Sequence, residues 1–182
     1  MIFSLLPVSV IAEEAATTSG TCGENLTWTL EDGTLTISGT GAMSDYSTSS
    51  GHTSAPWGDY CETITSAVIE NGVTSIGNYA FYECTGLASI AMPEGIASIG
   101  DDAFKGCTSL ASINIPKSVT SIGNEAFFGC GLTSATIPAG VTNVSNYAFG
   151  SCENLTSVII ENGVTSIDED AFSNCTSLES VT

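Results

Sequence analysis

The chain has 182 residues and carries 20 acidic against 2 basic side chains, a formal net charge of −18 at pH 7. Lys105 and Lys117 are its basic side chains and it has no arginine, which excludes nucleic acid and an anionic membrane surface as partners, because both need clustered Lys and Arg against phosphate. Apolar residues make up 42%, enough for a buried core and too many for a disordered chain.

Ile2 to Ile11 form an apolar run too short to cross a bilayer as a helix. It has the length of a secretory h-region, and Val10 and Ala12 put small residues where signal peptidase reads them. Residues 1–12 are therefore expected to be a signal peptide remnant cleaved near Ala12. The basic n-region is missing, so a buried strand is the alternative.

Residues 13–63 are expected to be a β-rich N-terminal cap. Leu26, Trp28 and Leu30 alternate with Asn25, Thr27 and Thr29, and Leu35 and Ile37 alternate with Thr34, Thr36 and Ser38. Asp32-Gly33 between them is a two-residue hairpin signal. The Ser/Thr/Gly-rich stretch 44–55 is expected to be a mobile loop, with Pro56-Trp57 re-anchoring the chain. His52 in that loop has no catalytic signature around it, so it reads as exposed and unengaged.

A repeat fills residues 64–182. Ala-Phe recurs with Phe81, Phe104, Phe127, Phe149 and Phe172, at spacings of 23, 23, 22 and 23, and a cysteine follows each Phe by three residues. The short spacing has a visible cause: Cys130-Gly131-Leu132 has one residue where other units have two between Cys and Leu. A unit reads L-x-S-I-x-I-P-x-x-V-T-S-I-G-x-x-A-F-x-x-C-x-x, giving five units and the start of a sixth. Leu110, Ile113 and Ile115 alternate with polar Ser112 and Asn114, the pattern of a short strand with one buried side. Pro116 lacks a donor and ends that pairing. Val119 and Ile122 mark a second extended segment, and Ala126, Phe127 and Cys130 fit one helical or 3₁₀ turn. A single unit cannot bury its own apolar side, so the units must stack into a solenoid with columns of like residues.

These motifs, L-x-S-I-x-I-P, V-T-S-I-G, Ala-Phe and the trailing Cys-x-x-Leu, resemble the leucine-rich repeat of the BspA-like class of bacterial and protist surface proteins. The stretch 21–60, with LTWTLEDGTLTISGTGAM and APW, is similar to the segment that precedes such repeats in secreted proteins of Gram-positive anaerobes. The resemblance implies a leucine-rich-repeat-like right-handed coil, mainly β with short helical or 3₁₀ turns, behind a β-hairpin cap. It also implies a secreted or cell-surface location and adhesion to host extracellular-matrix proteins, cells or other bacteria. It brings no catalytic residues, no cofactor and no single ligand.

The cysteine column Cys84, Cys107, Cys130, Cys152 and Cys175 reads as a reduced packing ladder, since free Cys is a good small buried hydrophobe. Cys22 and Cys61 flank the cap and are the pair considered for a disulfide. The acidic groups Asp101-Asp102 and Asp168-Glu169-Asp170 lack metal-loop spacing and read as solvated turns. No catalytic function and no metal site is assigned.

The expected interaction surface is the outward strand face: Ser66, Ser89, Ser112, Ser134 and Ser157, with Asn114 and Thr136 in the parallel column. A polar face of this kind suits weak, multivalent binding of a host protein or glycan. The alternative is a passive spacer that carries another domain.

Overall fold

The computed structural model describes residues 18–49 and 51–182, so the apolar run 2–11 and the expected cleavage near Ala12 lie outside the described residues. The chain begins with three antiparallel strands, β1 (Thr18–Gly23), β2 (Leu26–Glu31) and β3 (Thr34–Gly39). In β2 the alternation holds residue by residue: Leu26, Trp28 and Leu30 are buried, while Thr27, Thr29 and Glu31 are exposed. Asp32 (φ 48°) and Gly33 (φ 74°) both take the left-handed conformation between β2 and β3, as a tight hairpin of this hand requires. β4 (Gly41–Ala42) follows. The stretch read as a mobile loop carries a small antiparallel pair, β5 (Thr48–Ser49) with β6 (His52–Thr53), and Thr53 is buried in it. A 3₁₀ turn at Gly58–Tyr60 then delivers the chain to the first repeat.

The repeats contribute β7 (Ser66–Ile69), β8 (Val73–Ile76), β9 (Ser89–Ala91), β10 (Ser98–Ile99), β11 (Ser121–Ile122), β12 (Ser134–Ile137), β13 (Asn143–Val144), β14 (Ser157–Ile160), β15 (Ser166–Ile167) and β16 (Ser180–Val181). They stack as a β-solenoid of about 23-residue turns. Repeat neighbours pair in parallel and in register: Ser66 with Ser89, Ser75 with Ser98, Ser98 with Ser121, Ser134 with Ser157 and Ser157 with Ser180. The cap joins this coil directly, because β3 pairs in parallel with β7, Leu35 against Ala67 and Ile37 against Ile69. The hairpin therefore completes the sheet as well as covering the core end.

One expected strand is absent. Residues 112–115 form no strand, so the first sheet is interrupted between β9 and β12. Pro93, Pro116 and Pro138 occupy the same position in three successive units, and none can donate to the rung before it. The units that carry Glu there keep the bond: Glu70 N donates to Ile37 O (2.9 Å) and Glu161 N to Ile137 O (3.0 Å).

The core is a stack of rings. Phe81, Phe104, Phe127 and Phe149 are fully buried, with centroids 5.1, 5.4 and 5.1 Å apart, and Phe172 continues the stack at 5.6 Å. Trp57 heads it, 5.8 Å from Phe81.

The Ala-Phe turns are not continuous helix. Ala80 N, Tyr82 N and Cys84 N bond back three residues, as in a 3₁₀ turn, while Tyr79 N, Phe81 N and Glu83 N turn outward to Asp101 O, Ala103 O and Lys105 O of the next unit (2.9, 2.7 and 2.7 Å). This alternation needs left-handed residues. Tyr79, Asp102, Glu125, Tyr147 and Asp170 supply one in every unit, at φ 53–64°. The conformation costs on the order of 1 kcal/mol per non-glycine residue, offset by the backbone hydrogen bonds it allows between units. The cap finishes the ladder: Tyr46 N donates to Asn78 O (2.9 Å) and the buried Trp57 Nε1 to Ala80 O (2.8 Å).

The cysteine reading needs correction. Cys61 bonds to Cys84 as a disulfide, and Cys22 is free. Cys61 lies one repeat length, 23 residues, before Cys84, so it stacks beneath it as a further member of the column. The rest of the column is reduced. Its thiols donate to the Phe carbonyl of the preceding unit: Cys107 to Phe81 O, Cys130 to Phe104 O, Cys152 to Phe127 O and Cys175 to Phe149 O, at 3.0–3.2 Å. Burial raises the pKa of Cys130, Cys152 and Cys175, and pushes Cys22 up to about 11.

Candidate interaction surface

The strand face follows from the pleat, since residues flanking each buried apolar position must point outward. Ser89, Ser112, Ser134, Asn114 and Thr136 are exposed, and Ser66 and Ser157 are half-buried. The structure brings them together in two groups. Ser66 and Ser89 are paired neighbours, as are Ser134 and Ser157, with Thr136 opposite Ile159. Ser112 and Asn114 lie between the groups on the segment that forms no strand.

The face reaches further than the repeat pattern indicated. Thr34 and Thr36 of the cap pair with Ser66 and Val68, and the Thr34 and Ser66 hydroxyls are 2.9 Å apart. It also carries exposed aliphatic residues, Val68 (37%) and Ile159 (51%). Beside Val68 a shallow cleft of about 520 Å³, lined by Glu70, Asn71, Met92 and Pro93, opens where strand pairing stops after Ala91.

Other polar columns are structural. Thr120 Oγ1 donates to Ala97 O (3.2 Å) and Thr165 Oγ1 to Thr142 O (3.0 Å), which stitches successive turns. Part of the acidic pattern has the same purpose. Asp45 Oδ1 accepts from Asn78 N, Asn78 Oδ1 from Asp101 N, and Asp101 Oδ1 from Asn124 N, at 2.7–2.9 Å. Asn or Asp after the Ile-Gly turn thus bonds the equivalent amide of the next unit. Among the described residues, no group of three or more His, Cys, Asp or Glu side chains converges as a metal site, and no helix is long and apolar enough to cross a membrane. His52 is exposed, at the rim of a small cavity beside Asp59 and Glu62.

A capped coil of short parallel strands, about 23 residues per turn with a Phe column inside, defines a leucine-rich-repeat solenoid. Residues 59–178 match the BspA type leucine rich repeat region in six copies, and the chain belongs to that family. Among solved structures it is similar to a leucine-rich repeat protein from Eubacterium ventriosum, at 29% identity and TM-score 0.83, over 91% of this chain and 44% of that one. It is also similar to a leucine-rich repeat protein from Bacteroides ovatus, at 26% identity and TM-score 0.59, over 87% of this chain and 52% of that one. A leucine rich cell surface protein from Faecalibacterium prausnitzii matches at 28% identity and TM-score 0.56, over 92% of this chain and 55% of that one. The chain thus spans about half the length of these proteins. No curated protein matches it.

Proposed function

We propose that the chain is a secreted or cell-surface module for adhesion, binding a host extracellular-matrix or cell-surface protein, or a glycan, along its strand face. The observation that carries this reading is the set of exposed hydroxyl and amide groups at repeat-equivalent positions, Ser89, Ser112, Asn114, Ser134 and Thr136, which strand pairing sets side by side in two groups, Ser66 with Ser89 and Ser134 with Ser157. Such a surface offers many weak, equivalent contacts to a repetitive ligand. The cell-surface description of the Faecalibacterium protein supports the location. The family is one of binding repeats, and the reading assigns no catalytic step.

The test is a binding screen of the chain against immobilised matrix proteins and bacterial-surface glycans. The reading expects saturable binding that falls at least tenfold in a Ser112→Leu/Ser134→Leu variant. Absence of saturable binding would favour the passive spacer, and binding indifferent to those substitutions would place the ligand off the strand face.

A further inference from the structure

The Ala-Phe turns build a second surface, apart from the strand face. Tyr79 and Tyr82 of the first unit lie 5.7 Å apart by ring centroid. Lys105 Nζ of the second unit stands 5.9 Å from the Tyr82 ring centre and 5.2 Å from that of Phe128 in the third. Phe128 meets the Tyr147 ring edge-on at 6.1 Å. One ridge of half-exposed aromatic rings therefore crosses four units, and the left-handed conformation of Tyr79 and Tyr147 fixes two of its members.

Carboxylates accompany the rings throughout. Lys105 Nζ contacts Asp102 Oδ1 at 3.2 Å and the Glu125 carboxylate on its other side. Burial pushes the Lys105 pKa down, but the bonds to Glu125 and Asp102 outweigh this and raise it. The ridge thus already seats one ammonium between two rings and two carboxylates, a favourable geometry for a cation. Around Tyr147 the same chemistry recurs: Asp170, and then Glu169 and Glu125, raise the pKa of its phenol. The Lys105 position is Gly150 in that unit, where the Phe128 and Tyr147 rings close over the glycine, 2.9 and 3.1 Å from where a Cβ would stand, so the chain puts no basic side chain there and both rings stay half-exposed.

We propose that this turn face binds a basic polypeptide segment, its Lys or Arg side chains lying on the Phe128 and Tyr147 rings beside Glu125 and Asp170, as Lys105 lies between Tyr82 and Phe128. Charge complementarity selects this occupant, since 20 acids face 2 bases across the chain. The surface is distinct from the serine columns and does not depend on their ligand.

The probe is a labelled octalysine peptide at physiological salt, with a neutral Gly-Ser peptide as control. A polyanion attracts polycations everywhere, so the decisive variants hold net charge constant. Tyr82→Ser/Tyr147→Asn removes two rings without changing charge, and Asn tolerates the left-handed position. Octalysine affinity should fall about fivefold or more, the equivalent of two exposed cation–π contacts. Lys105→Gln vacates the internal seat and should tighten binding more than Lys117→Gln, which changes the net charge equally. The strand-face variant Ser112→Leu/Ser134→Leu should bind octalysine like the parent. Unchanged affinity in a folded Tyr82→Ser/Tyr147→Asn variant, or equal effects of Lys105→Gln and Lys117→Gln, would overturn the proposal.

Discussion

Phe127 is held between two parallel rings, Phe104 at 5.4 Å and Phe149 at 5.1 Å, and no part of it reaches water. Replacing it by Ala should cost about 3–5 kcal/mol, and chemical denaturation checks this. Phe172 is only half-buried, so the same change there should cost less. Trp57→Phe isolates one bond: it keeps most of the buried ring but leaves Ala80 O without the indole donor. About 1–3 kcal/mol should be lost on that account. The thiols give a pH dependence. Burial pushes the Cys22 thiol up to about 11, above the ordinary thiol range. The stability this group contributes is therefore complete below about pH 9 and lost as pH rises towards 11. Melting temperature should fall across that interval, and less so in Cys22→Ala. At this scale the Phe column was readable from spacing alone, because a 23-residue period can be satisfied only by stacking. The left-handed residues were not, since Tyr79 and Glu125 are residue types that seldom adopt that conformation. Cys61 is not legible as a member of the cysteine column, because its own unit lacks the Ala-Phe pair that marks the others.

The elements show where sequence pattern and tertiary context part. The β2–β3 hairpin was legible from Asp32-Gly33 and strict alternation. β1 was not, because TSGTCG has no alternating apolar side and is ordered by pairing with β2. Segment 112–115 has strand alternation, but Pro116 offers no donor to the unit before it and Pro138 none to segment 112–115 itself, so one rung is missing on each side. The exposure of Ser89, Ser112 and Ser134 followed from alternation, whereas the turn-face ridge required contacts between units that no single unit's pattern contains. Glycines in the connecting turns separate conformation from space. Gly72 has φ 110°, and a Cβ there would lie 2.4 Å from Gly39 O. Gly129 has φ 67°, with nothing within 4 Å of that Cβ position. Gly129→Ala should cost about 1 kcal/mol, for backbone conformation alone. Gly72→Ala must also displace the cap backbone, so its loss should exceed that of Gly129→Ala in the same denaturation assay.

Across the molecule, stability is a sum of unit terms and neighbour terms, because each turn touches only the turns beside it. Solenoid architecture and the cap could be inferred from the repeat and its flanking hairpin, since a stack needs a closed end. How strongly each turn is held could not, because that depends on neighbours. Equivalent bonds allow the difference to be measured. Gly100 N donates to Ile76 O, Gly123 N to Ile99 O and Asp168 N to Val144 O, at 3.0, 2.9 and 2.9 Å. Their lengths are alike, but their surroundings differ. Ile99 and Ile122 are fully buried beside the first two, whereas Ile167 beside the third is 50% exposed and Val164 and Phe172 are only partly covered. Local opening around Asp168 therefore exposes less apolar surface and should need less free energy. Native-state hydrogen exchange should show Asp168 losing protection at least tenfold faster than Gly100 and Gly123, after correction for intrinsic rates. Equal protection at the three amides would mean that the coil opens as one block, and that neighbour terms dominate the unit terms along its whole length.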